Sequence, residues 1–315
     1  MFASETHAVT GAFGYTGRYI AQRLLKRGVH IHALTNSVKR VNSLGEQVKV
    51  YPFNFDQPEL LTNSLRGVKV LYNTYWVRFN HKLFTHEGAV ANTKVLFESA
   101  KRAGVERIVH ISITNPSEDS PLEYFSCKAK LETALKRSGM SYAILRPAVI
   151  FGAEDILINN IAWMLRKFPI MGVFGDGQYR LQPIYVEDLA DLAVREGSSR
   201  KNITVDAIGP ETFSYKQLLK TIGEIIGKKR PIVRVGPGLG YWIARLLGWI
   251  VGDIILTREE IEGLMSELLY TESSPVGTTY LTEWIRQNRA QIGLKYAHEL
   301  KRRTNRQASY SDLEH

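Results

Sequence analysis

Tyr124 and Lys128 are a pair of residues whose types and spacing could do proton-transfer chemistry. They lie four apart in EYFSCKAKLETALKRSG, residues 123–139, a segment with helical periodicity, so both side chains project from one helix face. A tyrosine hydroxyl titrates at about pH 10, and a nearby ammonium favours its phenolate, which brings it closer to the range of a useful general acid or base. Carbonyl reduction needs such a pair. The alternative is that Tyr124 is a packing residue in a protein that binds a cofactor and does not react.

Three glycines indicate what that cofactor is. In HAVTGAFGYTGRYI, residues 7–20, Gly11, Gly14 and Gly17 follow an apolar start and precede an amphipathic run. Glycines between a first strand and a first helix permit a tight turn, close approach of a pyrophosphate and close helix packing. The N–H groups at the start of the helix then bind the phosphates. The predicted cofactor contacts of this segment are Thr10, Gly11, Ala12, Phe13, Gly14, Tyr15, Thr16, Gly17 and Arg18.

The end of the second predicted strand favours NADP over NAD. An NAD site usually has an acidic residue about 20 residues after the glycines, but this chain has none between Glu5 and Glu46. The strand instead runs into LTNSVKR, where Asn36 and Ser37 are hydrogen bonders and Arg40 is a cation. Arg18 could form a fork with phosphate oxygens. Alternatively, Arg18 and Arg40 are ordinary surface charges.

The alternation of elements indicates how these residues are positioned. Over the first 150 residues, short β-branched runs alternate with segments of helical period, which predicts a doubly wound parallel sheet in an α/β fold. The later sequence is mostly helical and predicts a smaller C-terminal substrate lobe. We expect a dinucleotide-binding domain in residues 1–152 with 179–208, and the smaller lobe in 153–178 with 209–303. Residues 304–315 form a tail, of which 313–315 resemble the start of an expression tag.

Composition narrows the function classes. The chain has 315 residues, 44% hydrophobic and 23% charged, with one cysteine, which fits a cytoplasmic globular protein. We expect no signal peptide, because the first strand begins at about His7. The net charge of +10 comes from scattered basic residues, so we expect no nucleic-acid partner. The sequence has no H-E-x-x-H and no paired CxxC, so we expect no metal site.

The most apolar stretch runs from Gly238 to Leu256. Arg245, Asp253 and four glycines interrupt it, so a membrane-spanning helix is a poor fit. Trp242 and Trp249 are seven apart and share one helix face. We interpret this face as core or as a dimer contact, with peripheral membrane contact as the less favoured alternative.

Several motifs together resemble the short-chain dehydrogenase/reductase superfamily. Thr10 to Gly17 reads TGxxGxxG, Tyr124 and Lys128 follow the strand RIVHIS by a short loop, and ILRPAVIFG spans residues 144–152. The sequence is most similar to atypical and extended members, including the branch with the NADPH-binding accessory subunit of respiratory complex I and epimerase-like bacterial relatives. Some relatives hold the nucleotide for structure or sensing.

The resemblance implies roles for further residues. Tyr124 would be the proton donor or acceptor and Lys128 its electrostatic partner, which also holds the nicotinamide ribose. Ser112 and Thr114 are candidates for the hydroxyl that orients the substrate carbonyl, and we favour Thr114. Further implied cofactor contacts are Asn54 and Phe55 near the adenine, Asn73 and Thr74 beside the cofactor, and Pro147 near the nicotinamide.

The segment NTYWVRFNH supplies candidate substrate contacts. They are Tyr75, Trp76, Arg78 and His81, and aromatic rings with one cation suit a planar or anionic ligand. Trp76 and Phe79 could equally be core. The predicted function is an NADP(H)-dependent oxidoreductase or epimerase acting on a small carbonyl, hydroxyl or nucleotide-sugar-like substrate, as a monomer or homodimer. The alternative is a non-catalytic NADP(H)-binding module with a structural, sensing or assembly role.

Overall fold

The structure, a computed structural model, describes residues 5–38 and 44–305. They form two compact units. The first unit contains the residues up to Arg146 together with Leu189–Val205, and the second contains Pro147–Asp188 and Asp206–Asn305. Residues 179–188, which the sequence-based division assigns to the dinucleotide-binding domain, lie in the second unit.

A seven-stranded sheet organises the first unit. Its strands are β1 (Thr6–Thr10), β2 (His30–Leu34), β3 (Val48–Tyr51), β4 (Val68–Asn73), β5 (Arg107–Ile111), β6 (Ser141–Pro147) and β11 (Ile203–Ala207). The first six pair in parallel in the order β3-β2-β1-β4-β5-β6, and β11 lies beside β6. This is the doubly wound order, in which the direction of winding reverses between β1 and β4. The predicted α/β fold is confirmed.

Buried strands and capped helices explain why this sheet forms. Every residue of β5 is buried, as expected for a strand covered on both faces. The longest helix begins where Thr85 accepts a hydrogen bond from the Gly88 N–H (3.0 Å) and ends at Gly104, which adopts a left-handed conformation. The helices that contribute to this unit are α1 (Tyr15–Lys26), α2 (Pro58–Ser64), α3 (His86–Ala103), α4 (Glu123–Arg137) and α6 (Val186–Gly197).

The second unit is mostly helical and has its own core around Phe151, Leu218, Ile222 and Ile285. Its short strands are β7 (Val149–Phe151), β8 (Met171–Phe174), β9 (Arg180–Leu181), β10 (Pro183–Tyr185), β12 (Phe213–Ser214) and β13 (Ile232–Val235). They pair as β10-β7, β12-β9 and β13-β8. Its helices are α5 (Leu157–Lys167), α7 (Tyr215–Ile225), α8 (Pro237–Val251), α9 (Arg258–Met265), α10 (Leu281–Asn288) and α11 (Glu299–Thr304).

Helix α8 corresponds to the most apolar stretch of the sequence. Within residues 5–38 and 44–305, no helix combines the length and apolar character needed to cross a lipid bilayer. Trp242 is 59% exposed and Trp249 is 82% exposed. The interpretation of their shared face as core is therefore wrong, because α8 turns this face away from the rest of its unit.

Candidate functional site

Where β1 leads into α1, only glycine fits at position 17, the third of the three glycines. Gly11 has a left-handed φ of 63°, and the Gly14 N–H donates to the Gly11 carbonyl oxygen at 2.7 Å. A Cβ at Gly17 would overlap that oxygen and would lie 2.9 Å from the Thr10 carbonyl oxygen. Helix α1 therefore begins directly against the end of β1, which is the geometry that a bound pyrophosphate requires.

The first turn of α1 is suited to an anion. Gly14 is the N-cap, no side chain caps the helix, and its first turn contains no acidic residue. The positive end of the helix dipole is thus not offset by a local carboxylate. The Arg18 guanidinium lies 5.5 Å from the centre of the Tyr19 ring. Of the remaining predicted contacts in this segment, Ala12 and Phe13 are buried and Tyr15 and Thr16 are half-buried.

The side chains of Thr10 and Asn73 join the ends of neighbouring strands. The Thr10 hydroxyl accepts from the N–H groups of Thr74 (2.7 Å) and Tyr75 (2.9 Å) and donates to Asn73 Oδ1 (3.1 Å). Thr74 Oγ1 donates back to the Thr10 carbonyl oxygen (2.6 Å). Asn73 Nδ2 lies 3.0 Å from His110 Nδ1. These predicted cofactor contacts thus fasten together β1, β4 and β5 at the point where the winding reverses.

The end of β2 presents polar groups to solvent. Asn36 is exposed and Ser37 is half-buried. The Ser37 N–H donates to Thr35 Oγ1 at 2.9 Å, which shapes the turn after the strand. Arg40 lies outside the described residues.

Aromatic rings surround the segment that the resemblance places near the adenine. Asn54 adopts a left-handed φ of 46°. Its neighbours Phe53 and Phe55 stack on each other with ring centroids 4.7 Å apart, and the Tyr75 ring packs at 5.1 Å from both. The Tyr75 hydroxyl accepts a hydrogen bond from Asn92 Nδ2 at 3.0 Å. Tyr75, a predicted substrate contact, therefore belongs to this aromatic cluster.

Lys128 is buried beside Tyr124 on α4. Its side-chain ammonium donates to the Ile111 carbonyl oxygen at 2.8 Å and lies 4.4 Å from the centre of the Trp76 ring. Burial lowers the pKa of Lys128 to about 7, because the charged form is removed from water. The Tyr124 ring meets the Trp76 ring edge-on, with centroids 5.7 Å apart. Trp76 thus contacts both members of the predicted proton-transfer pair.

His86 completes this group, and sequence reasoning missed it. Its ring stacks on Trp76 at 5.7 Å with an interplanar angle of 3° and meets Tyr124 edge-on at 5.5 Å. The loop after β4 is tied to the start of α4, because Asn80 accepts from the His86 N–H (2.7 Å) and donates to Glu123 (2.6 Å). The N-cap Thr85 could have placed His86 in the first turn of α3, but no local signal predicts the stacking. We refer to Trp76, His86, Tyr124 and Lys128 as the α4 cluster.

The two candidate hydroxyls at the end of β5 have different surroundings. Ser112 Oγ donates to Glu132 Oε1 at 2.6 Å. Glu132 is buried and also pairs with Arg146, whose Nε and Nη2 lie 2.9 and 2.6 Å from its oxygens. Ser112 is therefore bound to an internal ion pair. Thr114 is fully buried.

The remaining predicted contacts are Arg78, His81 and Pro147. The Arg78 guanidinium is 5.8 Å from the Phe79 ring, and Phe79 itself is buried. His81 forms a bridge with Phe84 through two backbone hydrogen bonds of 2.8 and 3.1 Å. Pro147 is buried at the end of β6 and is the first residue of the second unit.

Sequence comparisons agree with this geometry. A family model described as NAD(P)H-binding matches residues 11–156. The chain is 26% identical over 231 residues to NADH dehydrogenase (ubiquinone) 1 alpha subcomplex subunit 9, mitochondrial, of Arabidopsis thaliana, covering 69% of this chain but only 57% of that subunit. It is 26% identical over 267 residues to the NADH-ubiquinone oxidoreductase 40 kDa subunit of Neurospora crassa, covering 82% and 70%. It is 22% identical over 328 residues to photosystem II assembly factor Ycf39 of Cyanophora paradoxa, covering 97% and 98%.

Solved structures share the fold. Citrobacter sp. triphenylmethane reductase complexed with NADP(H) matches with a TM-score of 0.74 and 20% identity, covering 90% of this chain and 99% of that one. The NADPH-dependent quinone oxidoreductase of Escherichia coli complexed with NADPH matches with a TM-score of 0.73 and 20% identity, covering 89% and 98%. The glycine turn, the strand order and the family match together show that this chain contains an NAD(P)-binding domain of the Rossmann type.

Proposed function

We propose that this protein is an NADP(H)-dependent oxidoreductase or epimerase-like enzyme of the short-chain dehydrogenase/reductase type, with Tyr124 as the general acid or base. The observation that carries the proposal is the α4 cluster. Tyr124 and Lys128 lie one turn apart on α4, and both contact the Trp76 ring. A tyrosine beside a buried lysine is a suitable source of a proton for carbonyl chemistry.

The residues of the first unit fit a dinucleotide. The glycine turn brings the start of α1 against the end of β1, and the first turn of α1 offers N–H groups without a competing carboxylate. When bound, NADP(H) supplies or accepts the hydride. Asn36 and Ser37 at the end of β2, Arg18 on α1, and the absence of acidic residues between Glu5 and Glu46 support NADP over NAD.

Tyr124 would handle the proton. In the reductive direction its hydroxyl donates a proton to the substrate oxygen, and in the oxidative direction its phenolate removes one. Protonated Lys128 favours the phenolate by its charge, and a pKa of about 7 lets Lys128 change its charge near neutral pH. Thr114 is the proposed hydroxyl that orients the substrate oxygen, as the resemblance to short-chain reductases implies, and Ser112 is the alternative.

The test combines cofactor binding with turnover. Cofactor-stripped protein is titrated calorimetrically with NADPH and with NADH. NADPH oxidation is followed with a panel of aldehydes, ketones and quinones, and conversion of nucleotide sugars to their epimers, which leaves the cofactor unchanged overall, is followed by NMR. We expect Tyr124→Phe to bind NADPH as the parent does and to lose turnover by about 10²-fold to 10⁴-fold. Arg18→Gln should weaken NADPH binding and leave NADH binding unchanged. Equal binding of the two nucleotides would contradict the NADP preference, and equal turnover by parent and Tyr124→Phe would remove Tyr124 from the reaction.

A second candidate function is a non-catalytic NADP(H)-holding module. The specific observation in its favour is that the Lys128 ammonium already donates to the Ile111 carbonyl oxygen and lies over Trp76, so its contacts are made within the fold and involve no substrate. Similarity to a complex I subunit and to a photosystem II assembly factor agrees with it. Tight NADPH binding with no turnover of any substrate in the panel, in parent and variant alike, would favour this module.

A further inference from the structure

We propose that helix α8 docks the protein onto an anionic lipid surface. The exposed stripe of this helix consists of Trp242, Arg245, Leu246 and Trp249, at spacings of three, four and seven residues, which places them on one face. Trp242, Leu246 and Trp249 are 59%, 60% and 82% exposed. Large apolar side chains turned outward together on one helix mark an interaction surface.

The opposite face of α8 explains this orientation. Gly240 and Gly248 are buried and turn toward the second unit. A Cβ at Gly240 would overlap the Phe174 ring of β8. A Cβ at Gly248 would lie 2.6 Å from the carbonyl oxygen of Asp253, in the turn that ends α8. The helix backbone therefore packs closely on its unit at Gly240. Its largest side chains have no place on that inner side and remain outside.

Charge selects the occupant of this surface. The segment from Lys228 to Gly252 contains five basic residues and no acidic residue. Arg245 lies on α8, and the other four precede it: Lys228, Lys229, Arg230 and Arg234. Of these four, Lys229 pairs with Glu224 (3.5 Å) and Arg230 Nε donates to the Leu165 carbonyl oxygen (2.9 Å). A second copy docked on the same face would bring like charges together, which is unfavourable. A helix with tryptophan and leucine on its apolar face and basic residues around it is typical of helices that lie in the headgroup region of an anionic membrane.

Two of the acidic residues that follow α8, Asp253 and Glu260, are hydrogen-bonded within the unit, and the Glu260 carboxylate accepts from the Thr257 N–H at 2.8 Å. The Asp253 carboxylate is buried and accepts hydrogen bonds from the N–H groups of Glu299 (2.7 Å) and Leu300 (3.1 Å) at the start of α11. Helix α9 presents the Arg258 guanidinium to α8, 4.8 Å from the Tyr241 ring. The exposed stripe of α8 itself is thus apolar and carries one cation, Arg245.

Vesicle flotation with the full chain tests the proposal. Vesicles of phosphatidylcholine alone are compared with vesicles that also contain phosphatidylglycerol. We expect the protein to float with the anionic vesicles, and Leu246→Ser to weaken this binding about tenfold. Arg245→Gln should weaken it about fivefold on anionic vesicles alone. The matched control is Leu294→Ser, because Leu294 is 58% exposed elsewhere in the same unit. This variant should bind the vesicles as the parent does.

Each variant should fold, because the substituted residues are exposed, and its thermal denaturation midpoint checks this. Three outcomes would overturn the proposal. The first is a parent protein that floats with neither kind of vesicle. The second is a Leu246→Ser variant that floats as well as the parent. The third is a dimer, detected by analytical ultracentrifugation, that Leu246→Ser dissociates, which would make the stripe a contact between copies of the chain.

Discussion

The glycine turn and the α4 cluster are held in place in different ways. The turn is defined by residues close in sequence, and its limit is steric, because Gly17 has no space for a Cβ against Gly11 and Thr10. The α4 cluster joins the loop after β4, the start of α3 and one face of α4, and its defining property is the burial of Lys128. One added methyl group at Gly17 is enough to disrupt the turn. The free-energy cost of burying the charged form of Lys128 instead depends on pH and on each neighbouring residue.

The largest effect is expected from Gly17→Ala. The added methyl group overlaps backbone atoms that cannot move without opening the turn, so we expect a loss of about 3 kcal/mol in the free energy of unfolding and no measurable NADPH binding. Gly28→Ala is the control. Gly28 has a left-handed φ of 75° and open space around it, so its substitution should cost about 1 kcal/mol and leave NADPH binding intact. Equal effects of the two substitutions would contradict the steric account.

The ion pair between Glu132 and Arg146 should give the next largest effect. Glu132→Gln removes the buried charge that pairs with Arg146, which is itself 25% exposed, and we expect a loss of about 2.5 kcal/mol in urea denaturation. Ser112→Ala removes one hydrogen bond to Glu132 and should cost about 1.5 kcal/mol. In an enzyme assay, Ser112→Ala should keep the parent's kcat while Thr114→Val lowers it. The reverse pattern would assign the orienting hydroxyl to Ser112.

The lowered pKa of Lys128 predicts that the stability of the protein depends on pH. Its pKa is about 7 in the folded protein and ordinarily 10.5. Between these values the unfolded chain holds a proton that the folded protein has released, so stability rises as pH increases and is lost as pH falls toward 7. From about pH 7 to about pH 9 we expect the parent to gain about 2 kcal/mol relative to Lys128→Met. Denaturant titrations without cofactor measure this difference, and parallel curves for the two proteins would show that Lys128 keeps its ordinary pKa.

Asp155 in the second unit provides a comparison with Lys128, because its pKa shift changes stability with pH in the opposite direction. Burial raises its pKa from 3.8 to about 7, although it accepts hydrogen bonds from Ile158 N (2.6 Å) and Asn159 Nδ2 (2.9 Å). The folded protein keeps a proton that the unfolded chain has lost, so this contribution to stability falls as pH rises from about 4 to about 7. Asp155→Asn should flatten the acidic part of the stability curve, and Lys128→Met the alkaline part.

The smallest effect is expected from His86→Phe. Among the described residues, neither ring nitrogen of His86 has a hydrogen-bond partner, and the Glu123 carboxylate lies 3.8 Å from Nδ1. A phenyl ring keeps the stack on Trp76, so stability should change by less than about 1 kcal/mol. Unchanged kcat would make His86 a support for Trp76. A large fall in kcat with unchanged NADPH binding would instead place His86 in the proton path.

Much of the fold could be predicted from the sequence because its signals are local. The three glycines predict the turn between β1 and α1, and alternating β-branched and helical segments predict the parallel sheet that the structure confirms. The four-residue spacing of Tyr124 and Lys128 predicts that they share a helix face. Each of these inferences uses helix or strand periodicity, or glycine stereochemistry, over a few neighbouring residues.

What only the tertiary structure decided is which side chains are buried and what they contact. Ser112 binds Glu132, His86 stacks on Trp76, and Lys128 is enclosed, although no local pattern distinguishes these residues from surface ones. In α8 the sequence determined an amphipathic helix with two tryptophans on one face. Close packing of Gly240 on Phe174 turned that face outward, because burial depends on contacts with distant parts of the chain that periodicity does not contain.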